Sequence, residues 1–224
     1  MKKLPFPKAV LFDFDGVIVD SLACHHSAWK SAFKDIFNKE ACPFPEATHA
    51  GKAPYHIAEY FAEYGGDVSK ASALNDLKKR HLATTAVRPK LLPGVEEMQT
   101  FLDEKNIPYG IASNAYTSFL ENTISQLSLN FEVYMGVDKF EKPKPSPVPY
   151  ITLAKHLGVQ EKDFSETLIF EDSLTGMRAA RDSGMFPIGV LTQYTEKELI
   201  ENGAKLVFPT LLEAYQTLKK QGDK

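Results

Sequence analysis

Short apolar runs alternate with amphipathic helical segments along most of the chain that follows Pro93. The strand candidates are residues 109–112, 131–135, 167–170, 186–190 and 206–208. Strands that alternate with helices indicate crossover connections and a parallel sheet with helices on both faces. An earlier apolar run at 9–12 completes this sheet if it pairs with the later strands. The predicted fold class is therefore α/β.

Residues 21–91 have a different pattern, in which no strand candidate occurs. Trp29, Phe33, Ile36 and Phe37 form one apolar stripe, and a second stripe between 57 and 64 ends at a pair of glycines. Ser69 is a candidate N-cap for a third helix. This region is predicted to be a small helical bundle inserted into the α/β unit. The basic run 78–80 is predicted to be an exposed helix face.

Composition and charge exclude several classes of function. The 224 residues are 43% hydrophobic and 25% charged, and the net charge is −3 without a basic block, so no nucleic-acid partner is expected. No apolar stretch reaches the length of a membrane span or of a signal-peptide core. Two cysteines, Cys24 and Cys42, are too few for a disulfide scaffold. We expect a cytoplasmic monomer without a membrane partner.

Two carboxylates directly follow the first strand, at Asp13 and Asp15, and Gly16 then permits a sharp turn. A spacing of two places both side chains on one side of an extended chain. Carboxylates so close repel each other unless a cation lies between them. Mg²⁺ commonly binds one or two carboxylates together with a substrate phosphate. The pattern indicates metal-assisted phosphoryl chemistry, although a turn at Asp15 beside a solvated Asp13 would give the same residues.

Further polar groups lie where other predicted strands end or helices begin. Ser113 and Asn114 follow one strand, Glu171 and Asp172 follow another, and Lys144 precedes a helix. Ligands of open parallel sheets bind outside the carboxyl ends of the strands. Taken singly, these residues are equally typical of helix caps or of a solvated lysine. Their common placement predicts a single site.

Four motifs together resemble those of the haloacid dehalogenase-like superfamily, and most closely its phosphatase and beta-phosphoglucomutase branch. They are Asp13-Phe14-Asp15-Gly16-Val17, Ser113-Asn114, Lys144-Pro145 and Glu171-Asp172-Ser173-x-x-Gly176. The resemblance covers the whole chain, because the helical insert lies where that branch carries its cap. Two departures are Val148, where the branch commonly has an acid, and a second Lys-Pro pair at Lys142. Lys144 fits the motif better.

The resemblance implies a Rossmann-like parallel sheet with helices on both faces, plus an inserted small α-helical cap domain. The core would comprise residues 1–20 and 92–224, and the cap residues 21–91.

The resemblance also implies the roles of the core residues. Asp13 would be the nucleophile, and Asp15 the general acid and later the general base. Mg²⁺ would be held by Asp13, the Asp15 main-chain carbonyl and Asp172, with Glu171 nearby or acting through water. Lys144 would offset the negative charge. Ser113 would bind phosphate oxygens, with Asn114 as a further substrate-binding residue.

Two cap residues are candidates for substrate binding. His25 lies where similar sequences place a histidine facing the acid/base carboxylate, although a histidine on the helix surface is an equally good interpretation. Lys52 could reach a substrate hydroxyl or a second phosphate, or could be a solvated loop lysine.

The predicted activity is Mg²⁺-dependent hydrolysis of a small phosphorylated metabolite, a sugar phosphate or similar, through an aspartyl-phosphate. Dehalogenases of this fold are expected to lack an acid at the position of Asp15, which therefore favours phosphate esters. A beta-phosphoglucomutase-type mutase remains the alternative, because its core residues would be the same. A non-catalytic binding module would require lost catalytic groups, and none of them is missing.

Overall fold

A six-stranded parallel sheet forms the centre of the molecule. The computed structural model describes residues 4–40 and 51–222. In spatial order the strands are β5-β4-β1-β6-β7-β8, and every neighbouring pair is parallel. Their bounds are β1 Ala9–Phe12, β4 Tyr109–Ala112, β5 Tyr134–Met135, β6 Thr167–Glu171, β7 Phe186–Val190 and β8 Leu206–Phe208. The predicted α/β class is confirmed.

Nine α-helices occur in the part of the chain that the structure describes. They are α1 Leu22–Phe37, α2 Pro54–Gly65, α3 Ala71–Thr84, α4 Val95–Glu104, α5 Thr117–Gln126, α6 Val148–His156, α7 Leu174–Asp182, α8 Glu196–Glu201 and α9 Leu211–Gly222. Short 3₁₀ helices lie at Val68–Lys70, Val137–Lys139 and Glu161–Glu166. None of the helices in the described ranges is both long and apolar enough to cross a bilayer.

Both faces of the sheet are buried, and β1 shows how. All four of its residues are buried. Val10 and Phe12 point into a large cluster with α4, α5 and α9, whereas Leu11 points to the other face, into a cluster with α6 and α7. A strand covered on both faces needs an unbroken apolar run, which is what residues 9–12 supply.

Helices α1, α2 and α3, which we call the cap, pack around a separate apolar core. Trp29, Phe33, Phe61 and Leu74 are its largest fully buried members. A two-stranded antiparallel ladder of β2 Val19–Asp20 and β3 Lys90–Leu91 lies where the cap joins the rest of the chain. The domain boundaries predicted after residues 20 and 91 fall at this ladder and remain a prediction.

Three local predictions differ from the structure. The strand predicted at 131–135 is shorter in the structure, where only Tyr134 and Met135 pair as β5. Phe131 is instead buried by packing of its ring against Phe12 and Tyr109. Ser69 is not an N-cap; its main-chain N–H is itself bound by the Asp67 carboxylate in a 3₁₀ turn. Lys78 does not lie on an exposed face, because it is 2% exposed.

Candidate active site

The polar groups predicted to form one site lie around the carboxyl ends of three adjacent strands. Asp13 follows β1, Ser113 follows β4, and β6 ends at Glu171 with Asp172 next to it. The strands β4 and β5 lie on one side of β1, and the later strands β6, β7 and β8 lie on its other side. The connections therefore change direction between β1 and β6. Such a switch point forms a crevice that binds ligands in open α/β sheets.

The turn after β1 brings the two sides of this crevice into contact. The main-chain N–H of Asp13 donates to the Phe170 carbonyl at 2.9 Å, which continues the pairing of β1 with β6. Gly16 has a φ of +81°, and a Cβ there would lie 1.9 Å from Oδ2 of Asp172. Only glycine therefore fits between the two acidic segments.

Lys144 forms buried ion pairs with two of the acidic residues. Its Nζ lies 2.5 Å from Asp13 Oδ1, 2.6 Å from Glu171 Oε1 and 2.8 Å from the hydroxyl of Tyr150, and Lys144 is 3% exposed. Burial opposes the charged form, but Asp13 and Glu171 outweigh it and raise the pKa of Lys144. The lysine is thus held as an ammonium with three acceptors. Lys142 is exposed and lies outside this network.

Glu171 uses both carboxylate oxygens to hold its neighbours in place. Oε1 accepts from Lys144 and from Tyr150, and Oε2 accepts from the main-chain N–H groups of Asp172 and Ser173 and from the Ser173 hydroxyl. The side chain is fully buried. This arrangement fixes the start of α7, and with both oxygens engaged Glu171 is better suited to support a cation site than to be one of its main ligands.

Asp13, Glu171 and Asp172 form a buried acidic cluster whose ligand atoms lie within 4.8 Å of one another. Burial raises the pKa of Asp13 to about 8, with Lys144 opposing and Glu171 and Asp15 adding to the shift. Burial and the same neighbouring acids raise the pKa of Asp172 well above its ordinary value. The single ammonium group of Lys144 does not offset the negative charge of these carboxylates. An oxygen-only donor set with excess negative charge fits a hard divalent cation such as Mg²⁺.

Asp15 lies on the cap side of the same cavity and is bound by two donors. The Ser21 hydroxyl donates to its Oδ1, and Nε2 of His25 lies 3.2 Å from the same oxygen. Nζ of Lys78 lies 3.0 Å from the other ring nitrogen, Nδ1. An ammonium can only donate, so Nδ1 must accept and the N–H is on Nε2, directed at Asp15. The result is a chain of hydrogen bonds from α3 through α1 to Asp15 in the turn after β1.

The pKa values in this chain follow from burial and mutual charge. Burial alone would raise the pKa of Asp15, but the His25 and Ser21 donors and the charge of Lys78 hold it below its ordinary value. Burial and the adjacent ammonium lower the pKa of His25, so the ring is neutral. Burial also lowers the pKa of Lys78 to about 8, partly offset by Asp15.

The remaining predicted site residues differ in what they can still bind. Ser113 is buried and lines the cavity, where its Oγ accepts the main-chain N–H of Ala115 at 3.0 Å. Asn114 also lines the cavity, but its Nδ2 donates to the carbonyls of Gly51 and Lys144, and its Oδ1 accepts the main-chain N–H of Lys144. Asn114 therefore holds the cap to the core, and only a second lone pair of Oδ1 retains capacity for a ligand. Lys52 is exposed at the cap end of the cavity.

These groups line one cavity of about 340 Å³ between core and cap. Asp13, Ser113 and Asp172 face it from the strand ends, while His25, Lys52 and Lys78 face it from the cap. Its volume suits a small molecule. The nucleophile and acid/base candidates share one cavity that a substrate of this size can enter.

Comparisons with known proteins agree with this geometry. The family model for haloacid dehalogenase-like hydrolases matches residues 10–190. The chain belongs to the haloacid dehalogenase-like hydrolase family.

Its relatives include phosphatases and a mutase. The chain is 30% identical over 204 residues to "Putative phosphatase YhcW" of Bacillus subtilis, covering 87% of this chain and 88% of the relative. It is 28% identical over 196 residues to the beta-phosphoglucomutase of the same organism, covering 82% and 83%. A hydrolase structure from Pseudomonas syringae has the same fold, with a TM-score of 0.80, 23% identity and coverage of 95% and 98%. As a haloacid dehalogenase-like hydrolase, the chain is an enzyme of the phosphoric monoester hydrolase class.

Sequence reasoning missed several polar side chains in this haloacid dehalogenase-like site, among them Ser21 and Tyr150, and two more show what signal could have found them. Lys78 is one. It lies four residues from both Leu74 and Leu82, and this spacing is the signal that would have put it on the buried face of α3. Gln193 is the other, and its Nε2 donates to Oδ2 of Asp172 at 3.0 Å. Gln193 follows β7, so attention to every strand end of the sheet would have found it.

Proposed function

We propose that the protein is a Mg²⁺-dependent phosphatase that hydrolyses a small phosphorylated metabolite, a sugar phosphate or similar ester, through an aspartyl-phosphate on Asp13. The observation that carries the proposal is the joint placement of Asp13, Lys144 and Asp172 at the strand ends, with Asp15 facing them in one cavity. Phosphoryl transfer depends mainly on positioning and on charge stabilisation, and this site offers both.

In the first step an Asp13 carboxylate oxygen forms a bond to phosphorus while the ester P–O bond breaks. The lowered pKa of Asp15 makes it a carboxylate in the free protein, so Asp15 must take up a proton when the substrate binds. The leaving oxygen then takes this proton from Asp15, and the alcohol departs. Lys144 keeps the Asp13 carboxylate in place and stabilises its anionic form against burial. Ser113 lies close enough to the cavity to bind a phosphate oxygen.

In the second step water attacks phosphorus, and the bond between phosphorus and Asp13 breaks. Asp15 takes a proton from the water and is again the protonated acid that the first step requires. The lowered pKa of Asp15 suits this step, because a carboxylate is ready to accept the proton. The net reaction is ester plus water to alcohol plus inorganic phosphate.

Asp13 and Asp172 would hold Mg²⁺, together with the main-chain carbonyl of Asp15, and Glu171 would support them. When bound, the cation would neutralise phosphate charge and counter the crowding of the carboxylates. Gln193 fixes one oxygen of Asp172 and leaves the other free for a ligand role.

Release of phosphate from an aryl phosphate tests this function. We expect activity with Mg²⁺, reversible loss on chelation without unfolding, and loss of more than about 99% of turnover in Asp13→Asn, because the amide cannot form the phospho-enzyme. Circular dichroism before and after chelation checks the fold. Full activity in excess chelator, or one tenth of the wild-type rate in Asp13→Asn, would contradict the proposal.

A phosphosugar mutase is the second candidate, and similarity to a beta-phosphoglucomutase favours it. A mutase must also hold a second phosphate at the cap end of its site. Among described lining residues, the lysines and arginines are Lys52 and Lys78, and Lys78 is already bound to His25. This cap end is poorly equipped for a dianion, which favours hydrolysis.

Hexose 1-phosphate distinguishes the two candidates. With and without hexose bisphosphate, we expect inorganic phosphate to appear in step with substrate loss and little isomer to form. The measurement is phosphate release against isomer formation in the same reaction. Isomerisation that bisphosphate accelerates well beyond phosphate release would overturn the hydrolase assignment and leave Asp13 as the nucleophile.

A further inference from the structure

The cavity has a polar floor and an apolar opposite wall. The floor at the strand ends carries the phosphate chemistry described above. The apolar residues in the lining are Leu22, Trp29, Pro54, Ile57, Leu92 and Ala115, and the first four belong to helices α1 and α2 of the cap, opposite the strand ends. The floor would take the phosphoryl group, so this apolar wall faces the alcohol part of the ester.

Trp29, at the back of this wall, is held rigidly before any ligand binds. Its ring stacks on Phe61 at 5.4 Å between centroids and an interplanar angle of 25°. Nζ of Lys78 lies 5.4 Å from the centre of the Trp29 ring. The wall therefore needs little ordering when a ligand arrives, which reduces the entropic cost of binding.

Leu22 is the most exposed residue of the wall, with 37% of its surface accessible. It is the first residue of α1 and directly follows Ser21, which binds the acid/base carboxylate. An apolar side chain left in contact with water at the edge of a binding cavity is covered when a ligand with apolar surface enters.

Three polar side chains near the wall, Ser21, His25 and Lys78, are already engaged in hydrogen bonds, whereas Asp20 and Lys52 are exposed. His25 is bound to Asp15 and Lys78, and Ser21 donates to Asp15. A polyhydroxylated alcohol would lose hydrogen bonds to water here and recover few from these side chains. Lys52 is exposed at the cap end, where it can interact with a polar end of the ligand.

We propose that the preferred substrate is a phosphate monoester whose alcohol presents an apolar hydrocarbon surface, not a polyol, to Leu22 and Ile57, with Trp29 packed behind them. This inference rests on the proposed function and narrows it from small phosphate esters in general to one chemical class. The cavity of about 340 Å³ leaves room for an alcohol the size of a six-carbon ring.

Matched pairs of esters test the inference. Propyl phosphate and glycerol 3-phosphate share a three-carbon skeleton, and cyclohexylmethyl phosphate and glucose 6-phosphate share a six-membered ring. Hydroxyl groups make an alcohol a better leaving group, so intrinsic reactivity works against the expected result. We expect higher kcat/KM for the apolar member of both pairs.

Leu22→Gln links the preference to the wall. It should lower the ratio of kcat/KM for the apolar ester to that for the polyol ester by about fivefold, because glutamine offers less apolar surface for the hydrocarbon to cover. Ile57→Thr is a second variant with the same expected direction. Ile200→Gln is the matched control, since Ile200 is an exposed apolar residue on α8 outside the cavity, and it should leave the ratio unchanged.

The results separate the inference from the function on which it rests. Equal or higher kcat/KM for the polyol member of either pair overturns the inference, as does an unchanged ratio in both wall variants. In either case phosphate is still released and the proposed phosphatase stands. If neither these esters nor an aryl phosphate is hydrolysed, the proposed function is wrong and the substrate inference falls with it.

Discussion

At the scale of single residues, a chain of hydrogen bonds runs from Lys78 through His25 to Asp15, the proposed acid/base group. The ammonium fixes the tautomer of His25, and the ring then presents an N–H to Asp15. Lys78 touches neither Asp15 nor the cavity floor, so we regard it as a positioning residue. Its effect on Asp15 depends on its charge.

The lowered pKa of Lys78 gives this role a pH signature. The ammonium loses its proton as pH rises through about 8, not near the ordinary lysine value, so wild-type kcat should fall above that pH. Lys78→Met should lower kcat about tenfold at pH 7 and remove that fall. Titration of Asp13 should raise kcat as pH rises, because its carboxylate forms. This effect is the same in the wild type and in Lys78→Met.

The control for this prediction is Lys30→Met, at an exposed position on the same helix as His25. It should keep both the wild-type rate and the wild-type pH profile. The measurement is kcat between pH 6 and about pH 9.5 at saturating substrate. An unaltered alkaline limb in Lys78→Met would assign that limb to another group.

At the scale of elements, the junction of β6 and α7 holds the acidic cluster together. Gly176 lies in the first turn of α7, and a Cβ there would come within 1.7 Å of Oε1 of Glu171. That oxygen binds both Lys144 and Tyr150. The Ser173 side chain caps the same helix by accepting the main-chain N–H of Gly176. The N-terminus of α7 and the positions of Glu171 and Lys144 therefore depend on the absence of a side chain at Gly176.

Gly176→Ala should consequently damage stability and activity together. Although alanine is the better helix former, the methyl group must displace Glu171, and we expect a loss of about 1–3 kcal/mol in the free energy of unfolding. We also expect at least a tenfold loss of kcat, because Lys144 shifts with Glu171. Denaturant unfolding and phosphate release measure the two effects. Gly222→Ala, near the end of α9 with no comparable clash, should be neutral, and a neutral Gly176→Ala would contradict this role of Gly176.

At the scale of the whole molecule, the cap covers the strand ends. Asn114 donates to the Gly51 carbonyl at 2.7 Å, and the Asn75 side chain of α3 donates to the hydroxyl of Tyr116 in the core at 2.6 Å. Nζ of Lys79 also lies 4.6 Å from the centre of the Tyr116 ring. These contacts join the cap to the core around the cavity.

A cavity that lies between the cap and the strand ends should exclude macromolecules. Phosphoserine peptides and phosphoproteins are expected to have kcat/KM values at least about a hundredfold below those of free small esters, because closure over Asp13 leaves no space for a polypeptide. Phosphate release from phosphoserine and from a peptide that contains it makes the comparison with the same leaving group. Comparable rates for the two would show that the cap does not restrict access.

The sequence alone determined the features that depend on local pattern. The apolar runs and their alternation with helices predicted the parallel sheet, since a strand buried on both faces has to be apolar along its length. Acids and small polar residues directly after β1, β4 and β6 predicted where the site lies, because parallel strands end at one edge. The motif at Lys144, preferred over Lys142, led to the lysine that contacts Asp13.

Tertiary structure decided what depends on distant segments. Lys78 lies 53 residues from His25, and no local signal sets that pairing, so a lysine expected in solvent became part of the site. Gln193 contacts Asp172 only because β7 lies beside β6. Most of the hydrogen-bonding capacity of the Asn114 side chain is taken up by main-chain groups of Gly51 and Lys144. Hydrogen bonds and burial are properties of the assembled chain, and so the chemistry of each side chain could be assigned only after the packing around it was known.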